Sequence, residues 1–192
     1  MAFLVAGLGN PGSRYLHTRH NVGFEVVDLL ARNWGVSKFL QKFKSLLAQT
    51  TFESHKVVLL KPQTYMNLSG EAVVEAAQFF KIEPETSLLV IVDDMDLPPG
   101  KIRIRTSGGT AGHKGVQSII ELLGTESFFR LRIGIGRSLT VPPEQFVLSK
   151  ITPAELPLFE KTFTKASQAV ETILKDGPAA AMNLFNRECD ES

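Results

Sequence analysis

Two histidines, two arginines and two asparagines fall within residues 7–21, GLGNPGSRYLHTRHN. Further along the chain come Asn67 in YMNLSG, Asp93 in IVDDMD and His113 in GGTAGHKG. These are residue types of acid–base chemistry. His20 is the natural general base, because the imidazole is the side chain that titrates near neutrality. Asp93 can accept a hydrogen bond from the other ring nitrogen and fix its tautomer, as the third member of a catalytic triad does. The plainer alternative is a helix-capping histidine and a solvated aspartate at a strand end. There is no G-x-S-x-G, and the single cysteine, Cys189, lies near the C-terminus. A His–Asp pair without a nucleophile implies direct activation of water.

Other chemistries fit less well. GLGNPG satisfies G-x-G-x-x-G, but Pro11 sits inside it and the helical pattern begins only near Asn21. In a dinucleotide fold the helix opens within the motif and holds the pyrophosphate at its N-terminus. SGGTAGHKG lacks the G-K-[ST] of a triphosphate loop. His17 and His20 are three apart in a loop, without H-E-x-x-H. Asp93, Asp94 and Asp96 could gather magnesium, although acidic strand ends are usually solvated surface. The expectation is therefore no cofactor and no metal.

The elements that must position these groups are legible in outline. Apolar runs predict strands over Phe3–Leu8 and Ser87–Val92, and alternation predicts one over Lys101–Thr106. Ser45–Thr51 and Lys56–Leu60 read as a hairpin, and Arg130–Gly136 as a further strand. Helical spacing covers about Asn21–Trp34, a helix capped by Asn67 or Ser69 and running to Lys81, and Val116–Leu123. Two more helices are expected at about Pro153–Leu174 and Pro178–Arg187. The fold class is α/β: residues 1–192 form a single domain with a twisted, mixed but mostly parallel β-sheet flanked by helices. In such sheets, sites form beyond the carboxyl ends of strands. Asn10, His20, Asn67, Asp93 and His113 all fall at such places.

Composition narrows the class. The chain has 192 residues, 43% hydrophobic and 21% charged. No apolar run approaches the ~20 residues of a membrane span. The apolar start lacks a basic leader, and one thiol forms no internal disulfide, so a reducing cytoplasm is expected. The net charge of +1 is unevenly spread. Residues 1–70 hold eight Lys and Arg against three Asp and Glu, and residues 101–137 hold seven against two. Either these basic segments share a face that attracts a polyanion, or they are scattered, solvated charge.

GLGNPGSRYLHTRHNVG, KPQTYMNLSG, VDDMDLPPGKIRIR, GGTAGHKG and FFRLRIGIGR, in this order, together resemble the bacterial-type peptidyl-tRNA hydrolases. The similarity spans essentially the whole chain. It implies hydrolysis of the ester joining a peptide to the 3′-terminal ribose of tRNA, which recycles tRNA in translation. It also implies a monomer without cofactor, metal or membrane, whose partner is peptidyl-tRNA. By position, His20 matches the catalytic base and Asp93 the carboxylate that holds it. Asn10 and Asn67 match asparagines that bind substrate near the ester. Tyr15 and Tyr65 match positions at the tRNA 3′ end and site entrance, Met66 an apolar wall, and His113 a site-lining residue. Lys114 stands where the family usually has asparagine, and a lysine donates without accepting. Two other classes stay open: a non-catalytic RNA-binding protein of the same fold, and a nucleotide-dependent oxidoreductase resting on GLGNPG alone.

Overall fold

In the first strand, β1 (Ala2–Gly7), Phe3 and Val5 pack into one apolar cluster and Leu4 and Ala6 into another. A strand with two apolar faces needs cover on both. The computed structural model describes residues 2–187, and Cys189 lies outside them. After β1 come α1 (Val22–Asn33), β2 (Leu40–Lys42), β3 (Ser45–Phe52), β4 (His55–Pro62), α2 (Ser69–Phe79), α3 (Pro84–Ser87) and β5 (Leu88–Asp94). Then follow β6 (Ile102–Arg105), α4 (Lys114–Leu123), β7 (Phe129–Gly134), α5 (Pro143–Val147), α6 (Leu156–Asp176) and α7 (Pro178–Phe185).

The strands form one seven-stranded sheet in the order β2-β3-β4-β1-β5-β7-β6. The central four, β4, β1, β5 and β7, are parallel. The β3–β4 hairpin on one side and β6 on the other are antiparallel additions. Helices α1, α6 and α7 cover one face and α2 and α4 the other. Val22, Val26 and Leu30 of α1 are fully buried, at helical spacing. Burying a side chain such as Leu30 contributes about 1.5–3 kcal/mol. The expected α/β class and mixed sheet are what the chain adopts. No helix among the described residues is long and apolar enough to cross a membrane.

One close approach sets the geometry that matters. A Cβ on Gly7 would lie 2.1 Å from the Gly23 carbonyl oxygen, and one on Gly23 would lie 2.4 Å from the Leu8 nitrogen. The start of α1 therefore rests directly on the carboxyl ends of β1 and β5. Gly7 is a packing glycine here, and no helix opens within GLGNPG: a 3-10 turn follows at Ser13–Tyr15 and α1 begins only at Val22.

Several local expectations shift. Neither Asn67 nor Ser69 caps α2, because residues 66–68 form a 3-10 turn and the Ser69 hydroxyl donates to the Met66 carbonyl at 2.8 Å. Strand β7 ends at Gly134, two residues short of the expected Gly136, and the Ile135 N–H adds a last bond to the Asp94 carbonyl at 2.9 Å. The polar edge strand β2 and the short helices α3 and α5 carry too little periodicity to stand out. The loop after β6 also starts at the unexpected end of the sheet. Because β6 is antiparallel, Arg105 pairs with Arg130 at the beginning of β7. Residues 106–113 must then return across the sheet to deliver His113.

Candidate active site

His20 lies in a one-turn 3-10 helix, Arg19–Asn21, that leads into α1. Both neighbours of His20 are buried and bonded. Asn21 clamps the backbone of Asn10: its Oδ1 accepts from the Asn10 N–H at 2.8 Å and its Nδ2 donates to the Asn10 carbonyl at 3.0 Å. The Arg19 guanidinium donates to both Glu155 oxygens at 2.8 Å and lies 4.7 Å over the Phe146 ring. The Arg19 N–H donates to the Ser149 carbonyl at 3.0 Å. His20 is thus held from both sides, and α5 is tied down beside it.

Asp93, 5% exposed, is the penultimate residue of β5. His20 Nδ1 lies 2.7 Å from Asp93 Oδ1, and His113 Nε2 lies 2.9 Å from the same oxygen. Burial by itself would push the Asp93 carboxyl up. The two histidines outweigh it and hold the group well below the usual carboxylate range. An ionised carboxylate only accepts, so both ring nitrogens facing it carry protons. His20 keeps Nε2 as its free ring nitrogen. The other nitrogen of His113, Nδ1, accepts the N–H groups of Gly115 and Val116 at 3.2 and 3.3 Å and so caps α4.

Around this centre lies a cavity of about 830 Å³. Asn10, Tyr65, Met66, Asn67 and Lys114 line it together with His20, Asp93 and His113. Asn10 Oδ1 accepts the Met66 N–H at 2.8 Å, which leaves the Asn10 amide protons as available donors. Asn67 is exposed at the rim, Met66 is buried in the wall, and Tyr65 is 58% exposed. Tyr15 does not line the cavity; its ring carries the Arg14 guanidinium at 4.5 Å, and its hydroxyl bonds Arg14. Thus eight of the nine sequence-predicted residues converge and Tyr15 stands apart.

A family description, peptidyl-tRNA hydrolase, matches residues 4–192. The chain belongs to the peptidyl-tRNA hydrolase family. The peptidyl-tRNA hydrolase of Desulfitobacterium hafniense is 49% identical over 185 residues, covering 96% of this chain and 99% of that protein. That of Carboxydothermus hydrogenoformans is 50% identical over 185 residues, with 96% and 98% covered. The crystal structure of peptidyl-tRNA hydrolase from Acinetobacter baumannii superposes with a TM-score of 0.89 at 38% identity, covering 96% of this chain and 94% of that one.

The structure also adds residues that pattern reading missed. Arg105, Arg130, Arg132 and Arg137 line the same cavity. Arg132 pairs with Asp94 at 2.7 Å and Arg137 with Asp96 at 2.6 Å, so two of the three aspartates considered for magnesium are engaged by arginine. Arg130 is 3% exposed, and burial lowers the pKa of its guanidinium from the ordinary value. It rests 4.3 Å over Phe128 and donates to the Glu126 carbonyl at 3.1 Å. Of the two basic segments, only residues 101–137 supply Lys or Arg to the cavity. In the other, Arg19, Lys44 and Lys61 are spent on Glu155, Glu71 and Asp28. Asn21 had one visible signal, a polar residue directly after His20 where an apolar helix begins.

Proposed function

We propose that this protein hydrolyses the ester between a peptide, or an N-blocked amino acid, and the 3′-terminal ribose of tRNA. The observation that carries the reading is the His20–Asp93 contact at 2.7 Å beside Asn10 in the large cavity. Asp93 holds the His20 proton on Nδ1, so Nε2 takes a proton from water as the water oxygen attacks the ester carbonyl carbon. The negative oxygen that develops is met by amide donors such as those left free on Asn10. Collapse breaks the bond to the ribose 3′-oxygen, which receives the proton back from His20. The products are tRNA with a free 3′-hydroxyl and the peptide's carboxylic acid, which gives its proton to solvent and leaves as the carboxylate. No cofactor or metal enters this scheme.

Asn67, unbonded at the rim, is a second amide for the peptide. Met66 gives an apolar wall and Tyr65 a ring at the entrance. Arginines of the 101–137 segment suit tRNA phosphates. Lys114, exposed at the first position of α4, provides a further donor for a phosphate or an ester oxygen. A Lys114→Asn variant with unchanged kinetics and tRNA affinity would remove that role. A monomer in the cytoplasm fits this reading.

The test is release of an N-acetylated amino acid from its tRNA by wild type and His20→Ala, with unblocked aminoacyl-tRNA as control. The expected result is a loss of at least about a hundredfold in the variant, with the control ester spared by both. Tight tRNA binding by a folded wild type without turnover would instead favour a non-catalytic RNA-binding protein.

A further inference from the structure

The His113 ring makes three hydrogen bonds that no sequence motif announces. Nδ1 accepts two backbone N–H groups at the start of α4, and Nε2 donates to Asp93 Oδ1. A neutral imidazole carries one proton. A backbone N–H can only donate, so the cap requires Nδ1 to be bare and places the proton on Nε2. Asp93 Oδ1 therefore always meets two donors, one from each histidine. The rings sit 5.1 Å apart and tilted by 49°, so neither displaces the other.

We propose that His113 is a positioning residue, locked by the α4 cap as a permanent second donor that divides the charge of Asp93 between two imidazoles. This rests on the reading of His20 as the base. An undivided carboxylate would pull harder on the His20 proton and favour the imidazolium, which cannot accept a proton from water. The second donor moderates that pull and keeps the carboxylate turned toward His20. The low Asp93 pKa agrees, since two donors stabilise its ionised form.

The same lock argues against a metal here. His20, Asp93 and His113 bring three ligand atoms within 4.8 Å of one another, a set zinc would accept by type. Ligation through His113 Nε2 would move its proton to Nδ1, against the two N–H groups of the cap.

Other charges facing the pair stay in place when His113 is changed. Asp94 and Asp96 are paired with Arg132 and Arg137. Lys114 from α4, Glu144 from α5, and Arg105 and Arg130 from the sheet complete the set.

The experiment compares kcat/KM against pH for wild type, His113→Asn and His113→Ala on N-acetyl-aminoacyl-tRNA. Asparagine is a strong helix N-cap but too short to reach Asp93. It keeps α4 capped and removes only the second donor. In His113→Asn the acid limb is expected to move up by roughly half to one pH unit, with Tm near wild type. His113→Ala gives the same displacement with a lower Tm. Long-range proton–nitrogen NMR of the wild type is expected to show His113 protonated on Nε2 and bare on Nδ1 between pH 6 and 8. An acid limb that stays still or moves down, while His20→Ala is inactive, overturns this inference alone. A proton on His113 Nδ1 does the same. An active His20→Ala overturns the underlying reading of the base instead.

Discussion

Two glycine-rich loops deliver one histidine each to the same oxygen of Asp93, and they do it by opposite means. Residues 8–21 are exposed in the middle, but both ends are bound by buried side chains. Asn21 grips Asn10, Asn10 grips Met66, and Arg19 reaches across to Glu155. Residues 106–113 have almost none of this. Gly112 and His113 turn back on Thr110, Ala111 is left-handed at φ 47°, and a Cβ on Gly109 would meet nothing within 4 Å. There the histidine is oriented by the helix it caps. Asymmetric support suits the proposed roles: a base needs a fixed free nitrogen, whereas a positioning residue needs only a fixed proton.

The hardest blow to the comparison is at the shared anchor. Asp93→Asn leaves both histidines without their carboxylate, and kcat/KM is expected to fall by about two orders of magnitude or more. The sign of its pH dependence follows from the lowered Asp93 pKa. The ionised carboxylate stabilises the fold above the ordinary value of about 3.9 and loses that contribution as the pH drops toward its folded value. The Tm gap between wild type and Asp93→Asn is therefore widest above about pH 4 and narrows below it. A gap that widens with acid contradicts the assignment.

Next comes the clamp on the first loop. Asn21→Ala removes two buried hydrogen bonds and strands the Asn10 N–H. A stability loss of about 2–3 kcal/mol is expected in denaturant titration, with activity falling as Asn10 and His20 drift apart. Arg19→Met keeps much of the apolar stem but frees Glu155, which is partly exposed. Its expected cost is about 2 kcal/mol, read as a shift in the urea midpoint. The smallest effect belongs to the second loop. Gly109→Ala has open space, so a change under about 0.5 kcal/mol and near-normal turnover are expected. If Gly109→Ala proves as damaging as Asn21→Ala, the two loops are not held differently.

Much of this architecture was written locally. The alternation of KIRIRT, the apolar run of SLLVIV and the spacing of Val22, Val26 and Leu30 marked strands and a helix without reference to anything distant. A period of 2 or 3.6 states which side of an element is apolar. Element ends were less legible: the 3-10 turn at residues 66–68 displaces the expected cap of α2, and β7 stops at Gly134. Tyr15 shows the limit for the site. It sits in the same motif as His20, yet it turns to Arg14 and away from the cavity.

By itself, then, the sequence determined the α/β class, the main elements and the residue types able to activate water. Tertiary structure alone decided that β6 runs antiparallel and sends its loop back across the sheet with four arginines beside the site. It decided that Asn21 serves Asn10, and that His20 and His113 share one oxygen. The reason is range: a periodic pattern is a property of neighbours, whereas His20 meets Asp93 across 73 residues and His113 meets it across 20. The first of these contacts also needs Gly7 and Gly23, whose close approach lets α1 settle onto the strand ends.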